Sequence, residues 1–368
     1  MRIHLPTLFH TVPALDFSHC AFTSRCRNFG KAVIPYGHEV IEYSNEGSQA
    51  LSTELVNILS AEEFAELKAL YAIEQPNSVA NIDSTLYRRF TEKLISEMKG
   101  RVQPGDMIGH VFGIAYQQLA EIFPEAYHVE LGIGYEQAWS SFRIYESYHW
   151  MSWHAGKEQR DGSDYHWVCP MMYDMDEWEP TYTEGDYLLY FGRIIERKGI
   201  AIVKEIARHT NLKVLMVGDG NKELLEPFLS DAPDNLEYRP PVTGKERSKL
   251  LGGARAMLMP TRFFEPFGNS GIEAQLCGTP LLASDFAAFS ETMIHGYSGY
   301  RCHTLGDYLK AIELAPSLNR RAISSNAKAK YSIQNVGSQL DRIIRQVEML
   351  GGKGWYSLEP TNAVWSNQ

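Results

Sequence analysis

The sequence predicts an α/β protein of two domains, built on parallel, doubly wound sheets. Three observations support this fold class. The chain has 368 residues, and about one domain per 150 residues suggests two domains. Hydrophobic residues make up 44% and charged residues 22% of the chain, enough apolar surface for two cores. In the C-terminal part, short apolar runs alternate with amphipathic stretches, the pattern of repeated strand–helix units. Two domains also create one central cleft, where small molecules usually bind.

The alternation of strands and helices is clearest in this C-terminal part. The predicted strands cover residues 187–191, 212–217, 236–238, 256–259 and 281–283. The predicted helices cover residues 199–209, 221–228, 245–254 and 270–277. Short links between such units favour a parallel sheet. Ligands of such a sheet bind beyond the carboxyl ends of its strands, so functional residues are expected just after each strand.

The N-terminal part shows fewer recognisable elements, because aromatic residues interrupt its periodicities. The predictions here are a helix over 17–36, a strand over 39–43, a strand over 106–113, a helix over 114–123 and an exposed loop over 156–164. An acidic, proline-containing stretch at 174–186 indicates a linker. We therefore expect an N-terminal domain over 1–180, a C-terminal domain over 181–340 and a tail over 341–368 that packs back on the N-terminal domain.

Charge and cysteine content restrict the partners and the compartment. The formal net charge of -10 argues against broad attraction to nucleic acid or acidic lipid and favours a small or neutral acceptor. The five cysteines form no C-x-x-C pair and no zinc-ligand spacing, which is typical of thiols in a reducing compartment. The N-terminus lacks the apolar core of a signal peptide, and no run approaches eighteen apolar residues. We expect a cytoplasmic location.

Two carboxylates, Glu265 and Glu273, flank a glycine-containing turn with seven residues between them. The turn follows a predicted strand and opens a predicted helix, where free backbone N–H groups and the helix dipole can hold a phosphate. Gly268 and Gly271 would let a ligand approach the backbone closely. The first carboxylate can accept hydrogen bonds from sugar hydroxyls and the second from the two ribose hydroxyls. The alternative is a pair of solvated acids at a helix start.

A basic turn runs from Gly192 to Gly199 in the same half of the chain. It too follows a predicted strand and opens a predicted helix. Arg193 and Lys198 lie five residues apart, so both can reach a diphosphate, the arginine as a bidentate fork and the lysine as a point charge. They would stabilise the negative charge that develops on a departing nucleotide. Arg197 is interpreted as a surface residue.

The order of these motifs over residues 187–299 resembles the donor-binding domain of the retaining GT-B glycosyltransferases, the superfamily that includes glycogen and sucrose synthases. The similarity lies in several ordered motifs, so chance is a poor explanation. The matching residues are Phe191-Gly192-Arg193 with Lys198-Gly199, Val217-Gly218-Asp219-Gly220, Glu265-Pro266-Phe267-Gly268 with Glu273-Ala274, Gly278-Thr279-Pro280, and Glu291 with Gly296 and Gly299. The N-terminal part matches only faintly.

The resemblance implies a GT-B fold, with two Rossmann-like domains facing a central cleft, and it implies roles for individual residues. Arg193 and Lys198 would bind the donor diphosphate, Glu273 the ribose and Glu265 the transferred sugar. A histidine at a strand end of the N-terminal domain faces the sugar in such enzymes, and His110 occupies the comparable position; a core histidine is the alternative. The remaining donor-binding positions implied are Gly192, Gly218, Val242, Phe267, Gly268, Asn269, Ser270 and Gly271.

The activity implied is transfer of a sugar, with retention of configuration, from a nucleotide-diphosphate sugar to a hydroxyl group of a glycan or small molecule. A UDP-sugar is the expected donor and co-substrate, with no cofactor and no metal. Three departures from the family limit this inference, one of which is Ala287-Ala288 where paired glycines often precede the matching Glu291. Residues 13–17 replace an early Gly-Gly loop on the acceptor side, and Pro240-Pro241 replaces a glycine near the base. The acceptor and the base are therefore not carried over.

Other interpretations depend on other motifs. Asp174-Met175-Asp176 has the D-x-D form of metal-dependent glycosyltransferases, but its position before the second domain favours a turn cap. Nicotinamide, phosphate-loop and serine-hydrolase chemistry lack their motifs. The aromatic stretch over 145–167 is interpreted as core and interdomain packing, with stacking on sugars or bases as the alternative. A hydroxylated base in DNA remains an alternative acceptor, and a non-catalytic sugar-nucleotide binding protein an alternative function.

Overall fold

The computed structural model describes residues 1–74, 81–163, 165–220 and 222–351. The chain divides into two compact units. The first unit contains residues 1–146 and 151–172 together with the chain from 333 onward, and the second contains residues 147–150 and 173–332. The limits differ from the predicted 180 and 340, because the expected linker already belongs to the second unit and the last helix belongs to the first. Residues 352–368 of the predicted tail lie outside the described part.

The first unit is built on a seven-stranded sheet in which every pairing is parallel. The strand order is β3-β2-β1-β4-β5-β6-β7, so the direction of winding reverses between β1 and β4. Its strands are β1 (Arg2–Pro6), β2 (Glu39–Ser44), β3 (Glu54–Asn57), β4 (Met107–His110), β5 (Tyr127–Ile133), β6 (Phe142–Tyr145) and β7 (His166–Val168).

The second unit is built on a six-stranded sheet, again with parallel pairings throughout. The strand order is β10-β9-β8-β11-β12-β13, and the winding reverses between β8 and β11. Its strands are β8 (Tyr187–Phe191), β9 (Lys213–Val217), β10 (Leu236–Arg239), β11 (Ala256–Met259), β12 (Leu281–Ser284) and β13 (Gly299–Cys302).

Helices connect the strands in both units. Those of the first unit and of its connections are α1 (Ala21–Val33), α2 (Ala61–Glu74), α3 (Thr85–Lys99), α4 (Leu119–Ile122) and α5 (Tyr148–Lys157). Those of the second unit are α6 (Ile200–Arg208), α7 (Lys222–Ser230), α8 (Gly244–Gly253), α9 (Asn269–Leu276), α10 (Phe289–Thr292), α11 (Leu305–Leu314) and α12 (Arg320–Tyr331). The final helix, α13 (Ile333–Leu350), returns to the first unit. None of the helices in the described ranges is both long and apolar enough to cross a membrane.

Helix α13 packs against helix α1 through an apolar stripe. Its buried residues recur every three or four positions, as in a helix with one face in the core. A Cβ added at Gly337 would lie 2.4 Å from the carbonyl oxygen of Ala32, so the two helices cross at a distance that only glycine permits. The buried positions are Ile333, Val336, Leu340, Ile343, Ile344 and Val347. The part of the predicted tail before residue 352 is thus helix and core of the first unit.

The predicted elements of the second unit are confirmed to within one or two residues at each end. In the first unit the predicted helices are shorter. Helix α1 is flanked by short 3-10 helices at Leu15–Phe17 and Ile34–Tyr36, the second of which contains a proline. The predicted helix over 114–123 is a 3-10 turn followed by the four residues of α4. The turn begins at Gly113, whose φ of 54° does not continue an α-helix.

Candidate active site

The second sheet places the loops after β8 and β11 side by side. The strands are parallel, so their carboxyl ends share one edge, and the winding reverses between these two strands. The loop over 192–199 follows β8, and the loop over 260–268 follows β11. Doubly wound sheets bind ligands at such a reversal. The residues predicted from the two clusters therefore lie at the position that the topology favours for a ligand.

Lys198 and Glu265 form an ion pair at this edge. Lys198 ends a short 3-10 helix after β8, and its Nζ contacts Oε1 of Glu265. Glu265 is only 5% exposed, so it is not a solvated surface acid. The lysine Nζ also lies 5.1 Å from the ring centroid of Phe263. The pair offers one positive and one negative group at the same place, which suits the diphosphate and the hydroxyls of a sugar nucleotide.

Arg193 lies on the same loop with its side chain exposed. The backbone is fixed here, because the hydroxyl of Tyr190 donates a 2.6 Å hydrogen bond to the Arg193 carbonyl. The Arg193 guanidinium makes no hydrogen bond or ion pair within the described residues. Arg197 is also exposed and lies 4.2 Å from the ring centroid of Phe263. The Arg193 guanidinium is therefore available for an external anion.

Helix α9 begins in the turn between the two glutamates. Gly268, at the N-cap, has a φ of 81°, and an added Cβ would meet the Phe289 ring at 2.6 Å. The backbone N–H groups of Asn269 and Ser270 have no acceptor within the described residues, as predicted for a phosphate-binding helix start. The Asn269 side chain is already engaged, since its Oδ1 accepts a 2.7 Å hydrogen bond from the hydroxyl of Tyr173. The predicted contribution of Asn269 to binding is thus its backbone.

Two other predicted glycines, Gly218 and Gly271, have close packing contacts. A Cβ at Gly218 would lie 1.8 Å from the carbonyl oxygen of Gly192, so the loops after β8 and β9 pack backbone against backbone. A Cβ at Gly271 would lie 2.9 Å from Leu281 and 3.0 Å from Met259, which are residues of the sheet beneath the helix. Helix–sheet packing is therefore one reason for a glycine at position 271, and the close approach of a ligand there stays a prediction. Phe267, 2% exposed, packs in the same region as a core residue.

Glu273 lies inside helix α9 and pairs with a residue that the sequence analysis missed. Its Oε2 contacts the Nη2 of Arg247 on helix α8. Glu273 is 5% and Arg247 7% exposed. Burial raises the pKa of Glu273, and the adjacent Arg247 acts in the opposite direction. Each glutamate of the motif thus has its own cation: Lys198 for the first and Arg247 for the second.

A short segment of the second unit, residues 147–150, supports the turn that contains Glu265. The hydroxyl of Ser147 donates a 2.6 Å hydrogen bond to the carbonyl of Pro266. Glu291 accepts hydrogen bonds from the backbone N–H groups of Tyr148, at 3.1 Å, and His149, at 2.7 Å. The resemblance identified Glu291 as a motif residue, and the structure shows its carboxylate capping the start of helix α5.

Val242 lies in the loop between β10 and helix α8, where the resemblance places the base. It is half-buried. The preceding Arg239 uses its Nε to donate a 2.6 Å hydrogen bond to Glu237, within its own strand. The resemblance places the base near residues 239–242, held mainly by their backbone groups, and this stays a prediction.

His110, at the end of β4 in the first unit, is 1% exposed. Burial, and then neighbouring His128, hold the pKa of His110 well below its usual value, so it is neutral. His128 Nε2 lies 3.0 Å from the Phe123 carbonyl and must donate to it, so His128 Nδ1 accepts from His110 Nε2 at 3.0 Å. The proton of His110 is thereby assigned to Nε2. Its Nδ1 is a buried acceptor without a partner in the described residues. A role toward the sugar stays a prediction.

Asp174 caps a turn, as predicted. Its side chain accepts a 3.2 Å hydrogen bond from the backbone N–H of Asp176 and forms the N-cap of the 3-10 helix Met175–Glu177. The carboxylate of Asp174 therefore has a local structural use. In the ranges that the structure describes, no three His, Cys, Asp or Glu side chains come together as a group that could hold a metal ion.

The aromatic stretch over 145–167 contains both buried and exposed rings. Tyr145, Trp150 and His154 are each at most 1% exposed, while Tyr148 is 63% exposed. The Trp150 ring lies 6.2 Å from that of Phe264, within the second unit. The packing interpretation is thus confirmed for these three buried residues, and Tyr148 alone among the four has a surface free for stacking.

The part of the chain that contains these loops matches a known protein family. Residues 185–314 match the family described as "Glycosyl transferases group 1". The chain is 30% identical over 165 residues to the D-inositol 3-phosphate glycosyltransferase of Pseudarthrobacter chlorophenolicus, an alignment that covers 41% of this chain and 39% of that protein. The chain spans less than half the length of this curated relative and of the next two that it matches.

Two solved structures resemble almost the whole chain. AviGT4, a glycosyltransferase involved in avilamycin A biosynthesis, superposes with a TM-score of 0.69 at 15% identity, over 94% of this chain and 98% of that one. HepE from Anabaena, solved in complex with UDP and glucose, superposes with a TM-score of 0.65 at 13% identity, over 92% of this chain and 98% of that one. At these identities the similarity shows the fold.

Proposed function

Because this chain has the GT-B fold and its residues 185–314 form a group 1 glycosyltransferase domain, we propose that it transfers a sugar from a nucleotide-diphosphate sugar to a hydroxyl acceptor with retention of configuration. The observation that carries this proposal is the Lys198–Glu265 pair at the reversal of the second sheet, next to the exposed guanidinium of Arg193. UDP is the proposed nucleotide, supported by the UDP complexes of a protein with the same fold.

In the proposed reaction, Arg193, Lys198 and the free N–H groups at the start of helix α9 hold the diphosphate. As the bond from the anomeric carbon to the diphosphate breaks, these groups stabilise the charge on the leaving nucleotide. Glu265 orients the sugar through its hydroxyls. The acceptor hydroxyl attacks from the face that the nucleotide leaves, and its proton passes to the departing diphosphate. No metal is needed where two cations and a helix start already face the phosphates.

The acceptor class is proposed more broadly, as a hydroxylated glycan or small molecule. Relatives named for inositol 3-phosphate and phosphatidyl-myo-inositol support a polyol hydroxyl as one form of it. The net charge of -10 does not favour DNA as the acceptor.

The test combines binding with product analysis. Thermal shift against uridine, guanosine and adenosine diphosphates should show stabilisation by UDP. NMR of the product formed from a UDP-sugar and a panel of polyols should show the anomeric configuration of the donor. An inverted product would contradict retention, and the lack of stabilisation by any of the three nucleotides would contradict the proposed donor site.

A further inference from the structure

Arg247 is a buried cation of the second unit to which the proposed function gives no task. It lies on the buried face of helix α8, and its guanidinium contacts Glu273. The same guanidinium lies 5.1 Å from the ring centroid of Phe191 and 5.8 Å from that of Trp178. A carboxylate and two rings thus hold one planar cation, an arrangement that suits arginine better than lysine.

Arg247 donates a hydrogen bond to one oxygen of the Glu273 carboxylate and does not contact the other. Within the part of the chain that the structure describes, this carboxylate accepts a hydrogen bond from Arg247, and the contact involves Oε2. Glu273 is 5% exposed, and burial raises its pKa. Without a cation beside it, such a carboxyl group takes up a proton and becomes a weaker hydrogen-bond acceptor. The second oxygen, Oε1, can accept from a ligand only while the group stays charged and in place.

We propose that Arg247 is a positioning residue of the donor site, which keeps Glu273 ionised and holds it through Oε2 so that Oε1 is left for the ribose hydroxyls of the nucleotide. This inference rests on the proposed function, which assigns the ribose to Glu273. Arg247 itself is not assigned a contact with the substrate.

The other titratable groups near Glu273 do not replace this cation. Glu177, from the 3-10 helix that Asp174 caps, adds negative charge and raises the pKa of Glu273 further. Burial raises the pKa of Cys277, one turn along helix α9, to about 12, so its thiol is neutral. Lys328 of helix α12 acts on Cys277 rather than on the carboxylate. Among these neighbouring groups, Arg247 is the one that lowers the pKa of Glu273 and so opposes the effect of burial.

The experiment compares binding of UDP with binding of 2′-deoxy-UDP by isothermal titration between pH 6 and pH 8.5. The ratio of the two dissociation constants isolates the 2′-hydroxyl, because both nucleotides carry the same diphosphate. The variant is Arg247→Gln. The matched control is Lys249→Gln, an exposed position on the same helix.

The unaltered protein and the Lys249→Gln variant should bind UDP about ten- to a hundredfold more tightly than 2′-deoxy-UDP at every pH, the range for a hydrogen bond to a charged group. In Arg247→Gln the ratio should fall below about threefold at pH 6 and rise again toward pH 8.5 as Glu273 ionises. Glu273→Gln should lower the ratio at all pH values. A loss of packing would lower the ratio equally at every pH, so a ratio that recovers toward pH 8.5 indicates a positioning role for Arg247.

Each result decides the proposal. If Arg247→Gln does not fold, Arg247→Lys takes its place; it keeps the charge but loses the fork, so the ratio should fall severalfold and stay independent of pH. An unchanged ratio in either folded variant would overturn the role of Arg247 while leaving the glycosyltransferase assignment intact. Failure of the unaltered protein to bind uridine, guanosine or adenosine diphosphate would overturn both.

Discussion

The carboxyl edges of the two sheets carry opposite chemistry. In the second sheet the reversal between β8 and β11 brings together the Lys198–Glu265 pair and the exposed Arg193. In the first sheet the reversal lies between β1 and β4, and the loops after these strands contribute aromatic rings: the His10 ring lies 5.4 Å from that of Phe112. One edge is charged and the other is aromatic.

The pKa values of the histidines also differ between the two units. Among the described residues, every histidine whose pKa is shifted lies in the first unit, and every shift is downward, with burial as its largest cause. These residues are His4, His10, His38, His110, His128, His154 and His166. The doubly wound topology thus determines where a site lies, whereas the loop residues determine its chemistry. A charged edge suits a diphosphate, and an edge of neutral rings suits an uncharged ligand surface.

The largest expected effect tests the charged edge. Glu265→Gln keeps the size of the side chain but removes the charge that faces Lys198, so transfer should fall about 100- to 1000-fold. The affinity for UDP should change less than about threefold, because the diphosphate contacts remain. Steady-state kinetics and titration with UDP measure the two quantities. Glu313→Gln, an exposed position on helix α11, is the control. Full transfer activity in Glu265→Gln would remove the proposed role of the pair.

The next effect separates the cations of the basic turn. Arg193→Ala should weaken UDP binding about 10- to 30-fold, since a charge-assisted contact to phosphate is lost. Binding of uridine, which has no phosphate, should not change. Arg197→Ala is the matched control four residues along the chain and should leave both affinities unaltered. Equal losses for uridine and UDP would show that Arg193 acts on the fold of the loop rather than on the diphosphate.

A smaller effect tests the neutral edge through pH. An unfolded histidine titrates near 6.5, whereas His10 and His166 have their pKa values lowered to about 4. Below pH 6.5 these histidines therefore bind protons in the unfolded chain but not in the folded first unit, so the free energy of unfolding decreases as pH falls. Glu42, whose pKa burial raises to about 7, acts in the opposite direction, as does Glu130. Because the histidines with lowered pKa values outnumber these two glutamates, we expect the net effect to be a loss of stability at low pH.

We expect the first unit to lose about 1–2 kcal/mol of stability between pH 7 and pH 5. Hydrogen exchange, corrected for intrinsic rates and resolved by peptide, measures the two units separately. Protection should fall in the peptides of β1, β4 and β5 and change less in those of β8, β9 and β11. A loss of equal size in both units would contradict the comparison.

The two units also differ in how well the sequence predicts them. Strands β8, β9 and β11 are continuous apolar runs, as expected for strands buried on both faces, and their limits could be predicted closely. Strands of the first unit contain buried polar residues such as His4 and Glu130, so the apolar runs are broken. Glu130 is satisfied by the hydroxyl of Tyr135 and the N–H groups of two later residues. Those partners exist only once the chain has folded.

The candidate site shows the same limit. The turn between Glu265 and Glu273 could be predicted, because its glycines and acids lie close together in sequence. Arg247 could not, because its pairing with Glu273 spans 26 residues and joins two helices. One local signal existed: a basic residue near the start of a helix opposes the helix dipole, which calls for a partner. The sequence alone does not identify Glu273 as that partner.

The smallest effect concerns Asp174, which tests whether the charged edge works without a metal. Asp174→Ala should cost about 0.5–1 kcal/mol of stability, the usual loss for a removed N-cap, and should leave transfer unchanged, because the carboxylate caps a turn. Transfer by the unaltered protein in excess chelator should also be unchanged. Asp176→Ala, at an exposed position of the same turn, controls for charge. If instead chelator and Asp174→Ala both abolished transfer, and magnesium or manganese restored it only to the unaltered protein, the two carboxylates would hold a cation against the diphosphate. Arg193 and Lys198 would then not be the only positive groups that neutralise the diphosphate.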